Sequence, residues 1–143
     1  MKLGLPITYK KSLSKKLLNT DVGRIKLIID SELSERKAGN IHLQGHEVCY
    51  NTTQEQNEWN IFKFIDEGSF SVCENNKFVI INYRILIGSL IFKAIIIALI
   101  GMIFNRSLWV GPVFLSGVAG INLMIIYFRH LILLRNIVSK VNG

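Results

Sequence analysis

No Asp or Glu follows Glu74, although the chain runs on to Gly143. Residues 85–143 carry five basic side chains and no carboxylate, so that part is not the mixed-charge surface of a soluble domain. Cysteine is limited to Cys49 and Cys73. Two residues 24 positions apart exclude a disulfide-stapled scaffold, and in a cytosolic domain they read as reduced thiols. The chain lacks GxSxG, GxxxxGK[ST] and GxGxxG, which removes the usual nucleophile elbow and phosphate cradles. A length of 143 residues leaves room for one modest domain and excludes a multidomain enzyme.

What is present in excess is apolar. Half the residues are hydrophobic and the mean hydropathy is +0.34. From Ile85 to Phe104 the chain reads ILIGSLIFKAIIIALIGMIF, twenty residues with one charge, and from Leu108 to Phe128 it reads LWVGPVFLSGVAGINLMIIYF, twenty-one with none. Each is long enough as a helix to cross roughly 30 Å of hydrocarbon. Only Asn105, Arg106 and Ser107 separate them, so the spacing predicts a transmembrane hairpin over 85–104 and 108–128 with both termini on one side. The short loop holds one basic residue, whereas the flanks hold many, which assigns the termini to the cytosol, in the manner of a bacterial inner-membrane protein. Residues 1 to 14 contain no apolar run of the length a cleavable signal peptide needs. Trp109 and Tyr127 fall near opposite ends of the second span, where amphipathic rings favour the water boundary.

Lys93 lies about midway in the first span, at the depth of Ser116 and Asn122 on the second. An ionised side chain there costs roughly 3 kcal/mol or more unless it has an outlet. It snorkels to the cytosolic headgroups if the span starts near Ile87 or Gly88; otherwise it faces the hairpin or an oligomer axis, or meets a carboxylate of a partner membrane protein. Ala94, Ala98 and Gly101 in the first span and Ser116 and Gly120 in the second recur at spacings that allow close helix approach, within one hairpin or between copies. Pro112 sits in the first turn of the second helix, where its missing N–H costs little.

Residues 1–84 read as a cytosolic β-rich domain with a basic amino-terminal segment. Strands are predicted at 24–29, 41–43, 47–51, 58–65, 69–73 and 77–84, with turns at Gln44 to His46 and at Glu67 and Gly68. Alternation places Phe70 with Val72, and Val79 with Ile81 and Tyr83, on single faces. Thr8 to Asn19 reads as a short basic helix whose Lys10, Lys11, Lys15 and Lys16 suit an anionic lipid surface or simply fix topology. Residues 129–143 form a basic amphipathic helical extension with Leu131, Leu134, Val138 and Val141 near one face; the soluble domain, a neighbouring subunit or the membrane surface is to cover it. The fold class is therefore α+β, a small antiparallel meander followed by a membrane hairpin.

The run WNIFKFIDEG from Trp59 to Gly68, then SFSVC to Cys73 and NNKFVII to Ile81, resembles the strand and turn rhythm of bacterial membrane-associated pleckstrin-homology-like domains over about residues 40–84. The resemblance implies a half-open barrel closed by a carboxy-terminal helix, here the 131–141 segment, while the membrane span stands where that family's helix follows its last strand. No lipid-binding or regulatory residue is carried over.

His42, His46 and Cys49 follow an H-x3-H-x2-C pattern with Cys73 distant, without the tight ligand pairs of a zinc site, and no metal or other cofactor is expected. Asp66 and Glu67 are neighbours in a predicted turn rather than an acid and base pair. The net charge of +7 comes without interleaved aromatic residues, which argues against nucleic acid. Asn51 and Asn105 open N-x-[ST] triplets in places where no sugar is expected. The pattern points to a non-catalytic membrane protein that recognises a protein or lipid headgroup in regulation, assembly or immunity, with the bilayer and a like or unlike membrane protein as partners. The alternatives are an oligomeric membrane effector or pore gated by its β domain, and an accessory subunit of a larger complex.

Overall fold

The computed structural model describes residues 4–14, 21–51, 62, 65–74, 77–105 and 109–142. Five strands, β1 (Leu5–Ser14), β2 (Asn40–Gln44), β3 (Glu47–Asn51), β4 (Glu67–Glu74) and β5 (Phe78–Ile87), form one antiparallel sheet in the order β1-β5-β4-β3-β2. The last four are a meander. β1 joins its far edge and pairs with β5 along ten residues, from Leu5 opposite Ile87 to Ser14 opposite Phe78.

Strict alternation builds the core. Val79, Ile81, Tyr83, Ile85 and Ile87 of β5 are buried on one face, with Gly68, Phe70 and Val72 of β4 and Val48 and Tyr50 of β3 beside them. The β2–β3 turn is two residues, Gly45 and His46, with Gly45 at φ 60°, the conformation that glycine adopts without a Cβ penalty.

Helix α1 (Val22–Glu35) covers the apolar face with Ile25, Ile29 and Leu33 at four-residue spacing. It ends in a Schellman arrangement: the Ala38 N–H donates to the Leu33 carbonyl (2.8 Å) and the Lys37 N–H to that of Ser34 (3.0 Å), with Lys37 at φ 56°. Residues 24–29 are thus helix, not the predicted strand, because the 3.6-residue period of the whole segment outweighs a short run of branched residues. Conversely, Thr8 to Ser14 is strand rather than basic helix, since Tyr9 and Leu13 alternate onto the core face opposite Tyr83 and Val79. Glu67 and Gly68 are inside β4, not in a turn. The strand predicted at 58–65, with Trp59, lies outside the described residues apart from the buried Phe62 and Ile65.

β5 extends to Ile87, so Ile85 to Ile87 belong to the sheet and helix α2 (Ser89–Asn105) starts only after Gly88. Asp66 caps that start: its carboxylate accepts from the Gly88 N–H (2.5 Å) and the Ser89 N–H (3.1 Å), while its own N–H donates to the Leu86 carbonyl (2.9 Å). The return arm is a short helix α3 (Val110–Phe114), a π-helical turn Leu115–Ala119 and helix α4 (Gly120–Asn142) in unbroken succession. The second half of α4 comes back onto the sheet, burying His130, Leu133, Leu134, Ile137, Val138 and Val141 in the same core as α1. Of the predicted stripe, Leu134, Val138 and Val141 are buried and Leu131 is exposed, while His130, Leu133 and Ile137 complete the buried face.

Candidate functional site

Three features outside ordinary core packing bear on function. The first is the helical arm. Both sides of it present large apolar groups outward: Phe92, Ile97 and Ile103 on α2, Val113 on α3, and Ile121, Met124 and Phe128 on α4, with Ile103 75 % exposed. Isolated exposed apolar residues are ordinary, but a continuous surface of them is not. Among the described residues one helix, Gly120–Asn142, is long and apolar enough to cross a membrane, and part of it is buried in the protein; α2, at 17 residues, is a shorter apolar helix.

The two sides of the arm approach closely near its tip. Gly111 lies against Met102 and the Ala98 backbone, where a Cβ would overlap the Met102 side chain, and Ala98 is itself buried. Of the packing residues expected from sequence, Ala98 makes the contact and Ala94 is half-buried, whereas Gly101 and Gly120 have nothing within 4 Å of a would-be Cβ. Gly111 escaped the sequence reading because it stands beside Pro112 and looked like part of a helix start. Ser116 is exposed and donates to the Val113 carbonyl of its own helix (3.0 Å). Asn122 is half-buried. Lys93 is exposed, makes no hydrogen bond or ion pair among the described residues, and lies only four residues into α2, about 6 Å from its start.

The second feature is the aromatic junction where the arm meets the sheet. Tyr50 Oη and Tyr83 Oη are 2.5 Å apart, and Tyr83 Oη is 2.5 Å from His130 Nδ1 on α4. With His130 neutral and protonated on Nε2, Tyr50 donates to Tyr83 and Tyr83 to His130, so these buried polar atoms are mutually satisfied. Phe70 stacks on Tyr83 with centroids 3.9 Å apart, Phe62 meets Tyr50 edge-on at 4.9 Å, and Tyr9 donates to the Tyr127 carbonyl (3.2 Å). Burial pushes the phenols of Tyr9, Tyr50 and Tyr83 well above their ordinary range, so all three are neutral donors. Nearby, the buried Glu32 of α1 is paired with Arg36 (2.6 Å) and with Lys140 of α4. Burial raises its carboxyl, but the hydrogen bonds from Lys140 and Arg36 outweigh that and hold it below its usual value. The junction was missed from sequence; its one signal was a histidine on an apolar helical face, four residues after Ile126 and three before Leu133.

The third feature is the outer face of the sheet, a polar concavity of about 310 Å³ lined by residues of β2 to β5 that include His42, Glu47, Cys49, Glu67, Ser69 and Arg84. His42 and Cys49 are directly opposite one another, but His46 is in the turn and Cys73 lies farther along β4. Among the described residues no group of three His, Cys, Asp or Glu is placed to hold a metal ion. Lys10 and Lys11 pair with Asn82 and Ile81, five and six positions before Ile87, on an edge strand where charged side chains oppose pairing with another chain. Lys15, Lys16 and Arg106 lie outside the described residues. No protein-family profile, curated protein or solved structure matches this chain.

Proposed function

We propose that the chain is a non-catalytic integral membrane protein whose two-span hairpin holds a small cytosolic sheet domain that recognises a protein or a lipid headgroup, in a regulatory, assembly or immunity role. The observation that carries this reading is the path of the chain. An arm with apolar groups on its outside leaves the sheet at Gly88 and returns to the same core at His130, so an arm that enters a bilayer crosses it twice and leaves both ends on one side. Its lengths suit that task. The 17 residues of α2 rise about 25 Å and residues 110–128 about 28 Å, slightly short of the roughly 30 Å hydrocarbon layer, a mismatch that local thinning absorbs. Trp109, highly exposed at the tip, and Tyr127, at the sheet end, fall where aromatic rings favour the two interfaces. Lys93, one turn into α2, reaches the cytosolic headgroups along its own stem, which favours snorkelling over a pore lining. The domain itself is read as pleckstrin-homology-like on its meander and on the carboxy-terminal helix over its apolar face.

Sided thiol labelling tests the topology. Cys73 is exposed on the sheet. In a Cys49→Ser background, a membrane-impermeant maleimide should reach Cys73 only from the cytosolic face. In a Cys49→Ser, Cys73→Ser, Asn105→Cys chain it should label only from the opposite face. Labelling of both from one side, or recovery of the protein in the aqueous fraction without detergent, overturns the reading.

A further inference from the structure

The arm is short, and its sheet end cannot give way. Helix α2 runs 17 residues, about 25 Å, from Ser89 to Asn105, and Arg106 follows at once in the sequence. A bilayer of ordinary thickness holds roughly 30 Å of hydrocarbon. Three things could make up the shortfall: the sheet sinks, flanking side chains reach outward, or the bilayer is thinner. Sinking is closed. The Asp66 carboxylate accepts from the Gly88 and Ser89 N–H groups at the first turn of α2, so drawing that turn inward would take a carboxylate into hydrocarbon. The return side is tied to the sheet as well, because Tyr9 of β1 donates to the Tyr127 carbonyl of α4. Tilting only widens the gap, since a tilted rod spans less.

Reach is limited too. The Lys93 backbone lies about 6 Å below the start of α2, and the side chain is exposed, with no hydrogen bond or ion pair among the described residues. A lysine stem spans about 6 Å, so the ammonium just arrives at the level of the first turn. Lipid phosphates there carry the opposite charge and accept its N–H groups. In a thicker bilayer the phosphates recede and the ammonium is left in hydrocarbon. A second spacing agrees. Trp109 at the tip is 79 % exposed and Tyr127 at the sheet end is exposed as well. The helical rise between them is about 27 Å, whereas the two interfaces that attract such rings are roughly 30 Å or more apart. Resting on the two-span reading above, we infer that the arm selects phospholipids with short acyl chains, and that Lys93 is the gauge that limits the bilayer thickness it accepts. The preference is one of chain length rather than headgroup, because the phosphate that Lys93 meets is common to all glycerophospholipids.

The test uses the full-length protein and vesicles of a single headgroup class, choline phospholipids whose monounsaturated chains run from fourteen to twenty-two carbons, one length per preparation. Detergent-solubilised protein is diluted into each, and the fraction that floats with the vesicles after alkaline extraction gives a partition constant. It should be highest for the two shortest chains and roughly tenfold lower for the longest, the scale set by several ångströms of mismatch. Lys93→Leu should not lower partition into the short chains but should flatten the fall toward the long ones. Lys93→Arg, which keeps both charge and stem, should keep the fall. Equal partition at every length, or a maximum at the longer chains, overturns the preference and leaves the membrane anchor standing. A fall that is unchanged in Lys93→Leu overturns the gauge. Insertion at no length overturns this inference and the anchor together.

Discussion

Gly68 shows how tightly one residue can set the junction. It lies directly beneath the Tyr50 ring, and any Cβ there would overlap that ring. Gly68→Ala should cost about 1–3 kcal/mol, the usual penalty for overpacking, seen as a lower midpoint in detergent-phase denaturation followed by circular dichroism. Tyr50→Leu in the same chain should recover part of that loss; equal midpoints for Gly68→Ala and wild type would mean that the ring does not sit there. The reason for a glycine inside β4 is thus a cross-strand ring, which sequence alone hides: a glycine after two acidic residues looks like a turn. Phe70, Val72, Val79, Ile81 and Tyr83, by contrast, were readable, because alternation is a property of the strand itself. The Tyr50, Tyr83 and His130 contacts join three distant segments, and no local pattern announces them.

Elements are governed by their ends. Asp66 belongs to the approach to β4 yet caps α2, so it ties the first helix of the arm to the sheet. Asp66→Ala should cost about 1 kcal/mol, the loss of a helix cap, and should accelerate hydrogen exchange at the Gly88 and Ser89 amides before other parts of α2. At the other kind of end, Lys37 occupies a left-handed position that glycine fills without strain. Lys37→Gly should therefore stabilise the chain by roughly 0.5–1 kcal/mol, read as a raised unfolding midpoint. Glu32 couples α1 to α4, and its effect depends on pH. Because its carboxyl is held below the usual value of 4.5 in the folded chain, its contribution is complete above that value and fades as pH falls through the lower folded value. The difference in stability between wild type and Glu32→Gln should accordingly be flat near neutrality and shrink in acid; a difference that grows on acidification would reverse the assignment. The same local view explains two misreadings. In residues 24–29 a six-residue window rich in Ile and Leu mimics a strand, while the fourteen residues of α1 keep a helical period. In residues 8–14 the lysines mask an alternation of Ile7, Tyr9 and Leu13 that only the partner strand makes decisive.

At the scale of the molecule, the last helix serves two environments in succession. Up to Phe128 most of its large groups point outward, with Ile126 already buried, and from His130 onward one face of the helix closes the sheet core. The second half of α4 shares the core of β3 to β5 with α1, Phe62 and Ile65, so its loss would uncover much of that apolar face. Ile132 and Leu133 separate the two roles in adjacent positions: Ile132 is 55 % exposed and Leu133 fully buried. Leu133→Asp places a carboxylate in the core without a partner and should cost on the order of 4 kcal/mol or more, abolishing protection of the β4 and β5 amides against hydrogen exchange. The arm should still associate with membranes in that variant, since its apolar surface is intact. Ile132→Ser should leave the protected amides unchanged, as an outward-facing position should. Equal losses at both positions would show that α4 does not lie on the sheet by this face. Loss of membrane association in Leu133→Asp with protection retained would show the dependence running the opposite way, from bilayer to sheet.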